Sequence, residues 1–150
     1  MKVYFDVSCL NRPFDDQHQI RIRRESSAIT RIFDEIDSGI WEQVSSRMAE
    51  IEVRAIRDEI RQRRVLALLP ERRMELDDST FGRARELMAS RMRAADAVHV
   101  AAAEQLRADV LLTCDDQLLR VARQIADQLQ VRVENPVDWL KEQFDAKIAE

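Results

Sequence analysis

The sequence predicts an α/β fold, a three-layer α/β/α sandwich around a mostly parallel central sheet. Short apolar runs rich in Val and Leu, such as Val3-Tyr4-Phe5 and Val110-Leu111-Leu112, alternate with longer segments whose apolar residues recur at helical spacing. The chain has 150 residues and is 45% hydrophobic, which suits one domain over residues 1–150. A domain of that size buries roughly 68–70% of its unfolded surface and so holds a core.

Taken in order, residues 2–5 read as a buried strand and Asn11-Arg12-Pro13 as a turn. From residue 20 to residue 36, Ala28, Ile29, Ile32, Phe33 and Ile36 mark one face of a helix. Ser38-Gly39 ends it, because glycine tolerates a left-handed cap. Residues 40–44 fit a second strand, and Ser45 or Ser46 is a natural N-cap for a helix carrying Met48, Ile51 and Val53. Residues 64–69 read as a helix ending at Pro70, and residues 74–76 as a short strand. Asp77-Asp78-Ser79 caps a helix through about residue 88, and an alanine-rich helix covers residues 94–106. A strand at residues 110–113, a helix at 115–128 and a strand at 131–133 follow, and Asn135-Pro136 opens a last amphipathic helix.

Composition excludes several functions. Two glycines cannot furnish the Gly-rich loops that cradle nucleotide phosphates. Cys9 and Cys114 cannot build a disulfide framework or a zinc knuckle, and read as small core residues. No apolar run approaches the roughly 18 residues of a membrane span, and the opening Met1-Lys2-Val3-Tyr4-Phe5-Asp6 turns acidic too soon for a signal peptide. A cytoplasmic protein without membrane contact is therefore expected. A net charge of −4 argues against coating nucleic acid by bulk attraction. Yet the only lysines are Lys2, Lys141 and Lys147, and every other basic residue is arginine, the better bidentate phosphate ligand.

The acids fall where a parallel sheet places ligands, at the carboxyl ends of strands. Asp6 follows the first strand, and Asp115 and Asp116 follow Thr113-Cys114. Glu50 and Glu52 sit on the helix entered through Ser45-Ser46, and Asp96 lies among alanines and valines that favour burial. Carboxylates about 4 Å apart repel by roughly 4 kcal/mol at an effective dielectric near 20. Either their pKa values rise or a divalent cation offsets the repulsion. Oxygen-only ligands point to Mg²⁺ or Mn²⁺, ions that serve phosphodiester hydrolysis. The plainer reading makes each strand-end Asp a helix N-cap, Glu50 and Glu52 exposed helix acids, and His99 a hydrogen-bonded, half-buried side chain.

Four segments in one order sharpen this. Lys2-Val3-Tyr4-Phe5-Asp6-Val7-Ser8-Cys9-Leu10-Asn11 resembles the opening of the PIN-domain nucleases: an apolar strand, Asp, any residue, Ser or Thr, then an apolar pair. Val44-Ser45-Ser46 with the acids behind it, Asp96-Ala97-Val98-His99-Val100-Ala101, and Leu111-Leu112-Thr113-Cys114-Asp115-Asp116-Gln117-Leu118 resemble the segments of the second, central and fourth acids. The similarity runs from the N-terminus to Asn135-Pro136. It implies a Mg²⁺- or Mn²⁺-dependent endoribonuclease of PIN-like fold, often the toxin of a bacterial toxin–antitoxin pair. Asp6, Glu52, Asp96 and Asp115 would be catalytic residues and metal ligands, with Glu50 and Asp116 as alternatives, and Ser8, Asn11 and Thr113 in support. RNA is the implied substrate, and an antitoxin protein or a second copy of the chain the implied partner. Relatives commonly carry a glycine where this chain has Arg91-Met92-Arg93-Ala94-Ala95, and the segment 15–24 is unusually long and charged. The competing readings are a non-catalytic PIN-like module that binds RNA or protein, and a phospho-accepting receiver domain, which the position of the lysines disfavours.

Overall fold

The computed structural model describes residues 1–149. Four strands form one sheet: β1 (Lys2–Phe5), β2 (Glu42–Val44), β3 (Val110–Leu112) and β4 (Arg132–Glu134), in the order β2-β1-β3-β4. Every pairing is parallel, and β1 and β3 lie side by side with Val3, Tyr4 and Phe5 opposite Val110, Leu111 and Leu112. The helices are α1 (Val7–Asn11), α2 (Ile20–Asp37), α3 (Arg47–Arg54), α4 (Glu59–Leu66), α5 (Asp78–Ala89), α6 (Ala94–Gln105), α7 (Asp116–Gln124) and α8 (Pro136–Ala149).

Successive strand residues point to opposite faces, so the sheet needs cover on both. Tyr4, Leu111 and Val133 pack with Leu87 of α5, Ala97, Val100 and Ala101 of α6, and Leu118 of α7. Val3, Phe5, Val110 and Leu112 pack with Ile29 and Ile32 of α2, Val53 of α3, Val65 of α4 and Trp139 of α8. This is the three-layer sandwich the apolar runs predict. The two thiols, Cys9 and Cys114, are both buried with their sulfurs 3.6 Å apart, as core residues.

Local differences from the sequence reading have local causes. The second strand is shorter than residues 40–44, because the Gly39 cap (φ 80°) turns Ile40 back to donate its N–H to the Glu35 carbonyl. Residues 74–76 form no strand; Met74 makes one parallel bridge with Ser46 where β2 has already ended. The helix expected over 64–69 starts earlier, at Glu59, since the Asp58 carboxylate accepts the Ile60 and Arg61 N–H groups. The helix expected to reach 128 stops at Gln124 and gives way to a 3₁₀ turn over Ala126–Gln128. Asn11 and Arg12, read as a turn, instead close α1 and open a 3₁₀ turn with Pro13 in its first positions. Ser46 is the backbone N-cap of α3 without a side-chain capping bond, whereas Asp77 and Thr80 cap α5 reciprocally. Among the described residues no helix is long and apolar enough to cross a membrane.

Arg91 occupies the left-handed region at φ 73° between α5 and α6. A side chain there costs on the order of 1 kcal/mol. Arg91→Gly is therefore expected to raise the urea midpoint by roughly 0.5–1 kcal/mol equivalent. Leu111→Ala, at a fully buried position in the middle of the sheet, should lower stability by about 2–5 kcal/mol with an unchanged urea m-value.

Candidate active site

From β1 the chain crosses to β2 on one side, and from β3 to β4 on the other. The strand order therefore reverses between β1 and β3, and a crevice opens beyond their carboxyl ends. Asp6 leaves β1 into it, Thr113, Cys114 and Asp115 leave β3 beside it, and Asp96 enters from the first turn of α6.

Asp6 is 4% exposed, and a buried carboxylate needs partners. Its Oδ1 accepts from the Ser8 hydroxyl at 2.6 Å and from the Cys9 N–H at 3.0 Å, which makes Asp6 the N-cap of α1. Its Oδ2 accepts from the Thr113 hydroxyl. The Thr113 oxygen in turn accepts the Asp115 N–H at 3.0 Å, and the Ser8 oxygen accepts the Cys114 N–H at 3.0 Å. These bonds lace the two strand-end loops together. Burial pushes the Asp6 carboxyl up despite the Ser8, Thr113 and Cys9 donors.

Asp115 caps α7, its Oδ1 accepting from Gln117 N–H at 2.8 Å and Leu118 N–H at 3.2 Å. Its other oxygen faces the Arg93 guanidinium at 3.3 Å. Both strand-end acids are thus N-caps, as the plainer reading holds, and the second oxygen of each is met by Thr113 and Arg93 respectively. Asp96 is different: among the described residues nothing donates to it. Burial, and then repulsion from Asp115 and Asp6, push its carboxyl up to about 6, against partial relief from His99 and Arg93. Three carboxylates from three elements therefore share one electrostatic space.

The second-acid position resolves into two unlike residues. Glu52 is partly exposed and accepts a hydrogen bond from His99 Nε2. The buried His99 ring continues through Nδ1 to the Tyr4 hydroxyl at 2.7 Å, and that hydroxyl meets the Ser46 hydroxyl at 2.7 Å. Glu50 is buried among guanidinium groups, paired with Arg47, with Arg54 at 3.2 Å and with Arg73 at 3.7 Å. Asp116 is bound to Arg21 through two 2.8 Å contacts, which hold its carboxyl below the usual range. Asn11 donates to the Val7 carbonyl and accepts from Arg61 at 3.3 Å, and it makes no bond to the acids. The sequence reading assigned no role to the Tyr4–His99 arm that orients Glu52. Its one signal was a polar ring on the otherwise apolar face of α6.

The donor set fits a hard divalent cation. It offers carboxylate oxygens alone, and Asp96 is a partly buried acid with no partner, held against like charges. Among the described residues no group of three or more His, Cys, Asp or Glu side chains stands close enough together to hold a metal ion. A Mg²⁺-type ion, which keeps several waters and needs few carboxylates, suits such an open arrangement.

The raised Asp96 pKa has a definite sign for stability. The folded state holds this proton more tightly than the unfolded chain, so Asp96's own contribution to stability is fullest below about pH 4 and is lost as pH rises through about 6. Asp96→Asn is expected to raise the metal-free melting temperature at pH 7–8, by an amount on the order of 1 kcal/mol. The gain should vanish near pH 4, as a pair of thermal melts would show.

Comparison with known proteins agrees with this architecture. The chain resembles a chain in the structure of FitAB bound to IR36 DNA fragment, at 17% identity and a TM-score of 0.59, over 90% of this chain and 95% of the other. At that identity the likeness is one of fold. No curated protein matches the sequence. Residues 3–124 match the PIN domain, a span that takes in Asp6, Glu52, Asp96 and Asp115, and the chain belongs to the PIN domain family.

Proposed function

We propose that this protein is a Mg²⁺- or Mn²⁺-dependent endoribonuclease hydrolysing RNA phosphodiester bonds at the Asp6–Asp96–Asp115 crevice. The observation that carries the reading is the Asp96 carboxyl, unpartnered and raised to about 6 by burial and by Asp115 and Asp6. A carboxyl left in that state costs the fold stability, which marks it as a candidate functional group. PIN domains are generally nucleases, which supports the same reading.

A divalent ion bound there would offset the repulsion, polarise the phosphodiester and lower the pKa of attacking water. The chain's own residues supply the rest. Ser8, Thr113 and the Cys9 amide fix Asp6, so its carboxylate needs no reorganisation when substrate arrives. The α7 cap fixes Asp115. His99, backed by Tyr4, orients Glu52 at the rim. The exposed Arg93 beside Asp115 is placed to hold a non-bridging phosphate oxygen. The resemblance to toxin nucleases extends the reading to a toxin partnered by an antitoxin protein, in the cytoplasm. It also makes a homodimer the expected free form and residues 1–150 one domain.

Cleavage of a mixed RNA pool with EDTA, Mg²⁺ or Mn²⁺ tests the reading. Cutting should require metal and fall by at least about 100-fold in Asp6→Asn and in Asp96→Asn. Metal-independent cutting, or full activity in either variant, refutes the assignment. Well-folded protein that binds RNA without cutting would favour the non-catalytic module. Glu52→Gln should lower kcat by roughly tenfold or more. Glu50→Gln should instead keep kcat and lose some stability, because it removes the carboxylate charge that Arg47 and Arg54 share.

A further inference from the structure

Most arginines with described partners are committed to carboxylates: Arg83 to Glu104, Arg132 to Glu142, Arg61 to Asp15. Of the arginines with no ion pair among the described residues, three gather at one groove. A groove of about 850 Å³ runs between α2, α7 and α8, beginning at Asp116, the neighbour of Asp115. Arg24 of α2 and Arg120 and Arg123 of α7 line it, all exposed. Among the described residues none of the three has a carboxylate within ion-pair distance. Arg120 and Arg123 stand three residues apart and share one helix face, and Arg24 faces them from the opposite wall.

Three acids line this groove; Asp138 is exposed, has no ion pair among the described residues and is the one acid left to oppose the three arginines. Glu25 is buried and already shared by Arg12 at 3.0 Å, Arg21 at 3.3 Å and Asn135 at 2.6 Å. Asp116 is neutralised by Arg21, which also donates to the Cys114 carbonyl at 2.9 Å and so pins the groove's end to the Asp115 loop. On a chain of net charge −4, a row of unpaired guanidinium groups leading to a catalytic crevice concentrates positive potential on one path.

We infer that this groove holds the sugar–phosphate backbone of single-stranded RNA flanking the scissile bond, with Arg24, Arg120 and Arg123 as the phosphate ligands. The inference rests on the nuclease reading for the identity of the ligand. Guanidinium groups bind phosphate oxygens bidentately without reading sequence, so the track contributes affinity and register rather than base choice. Between the arginines, Ile20, Leu119 and Val137 give an apolar floor against which base faces can lie.

Binding and cutting are measured separately. A 5′-fluorescein-labelled 14-nucleotide RNA of mixed sequence is titrated with wild-type protein in EDTA, by anisotropy, across a salt series. Each lost phosphate contact lowers the slope of log K against log salt by about 0.7 for a single strand. Arg120→Gln/Arg123→Gln should lower it by about 1.4 and weaken binding by roughly tenfold or more at low salt. Arg85→Gln, exposed on α5 outside the groove, should leave both unchanged. With Mg²⁺, the groove variant should raise KM and keep kcat. Arginine-dependent binding without cleavage by any protein would sink the nuclease reading and leave the groove assignment standing. Cleavage with KM and salt slope unchanged in the groove variant would do the reverse. Absence of RNA binding by wild-type protein overturns the inference. So does an unchanged RNA slope accompanied by loss of polyglutamate binding, which would give the groove to an acidic protein partner.

Discussion

The Thr113 hydroxyl joins the two ends of this protein's chemistry. It donates to the Asp6 carboxylate and accepts the Asp115 N–H, so one side chain ties the exit of β1 to the exit of β3. Without donors of this kind the buried Asp6 would be an uncompensated charge. The parallel β1–β3 register, with Phe5 opposite Leu112, brings Thr113 to that place. Burying Asp6 requires the loops to be laced, and lacing them delivers Asp115 to the same crevice.

The carboxylates divide by how they are compensated. Glu50, Glu25 and Asp116 are answered by guanidinium groups, and Asp6 by neutral donors. Asp96 has no hydrogen-bond or ion-pair partner among the described residues, and burial with the charges of Asp115 and Asp6 pushes its carboxyl up. Of the arginines with no ion pair among the described residues, Arg24, Arg120 and Arg123 gather along the groove between α2 and α7. An unanswered acid calls for a cation, and unanswered arginines call for an anion. A metal-assisted reaction on a polyanion asks for both in adjacent places.

Much of this was legible in the sequence, residue by residue. The apolar runs at Val3-Tyr4-Phe5 and Val110-Leu111-Leu112 specify buried strands because both faces of a parallel sheet are covered. Gly39 and Asp77 act at the helix ends where their chemistry predicts. Helix boundaries were less legible. The start of α4 depends on Asp58 rather than on the apolar run behind it, and the run 74–76 reads as a strand only until one sees that β2 ends before it can be paired. The left-handed backbone at Arg91 before α6 was not legible, because an arginine carries no local signal for that conformation.

The sequence by itself determined the alternation of strands and helices, the parallel sheet, and the placing of Asp6 and Asp115 at strand ends, because these follow from local periodicity and chain order. It could not separate Glu50 from Glu52, which lie two residues apart on one helix. Only packing places Arg47, Arg54 and Arg73 around the first and His99 beside the second. Nor could it single out Arg24, Arg120 and Arg123 from the other arginines. Which unpaired guanidinium groups come together depends on how α2 packs beside α7, because Arg24 and Arg120 lie far apart in the chain.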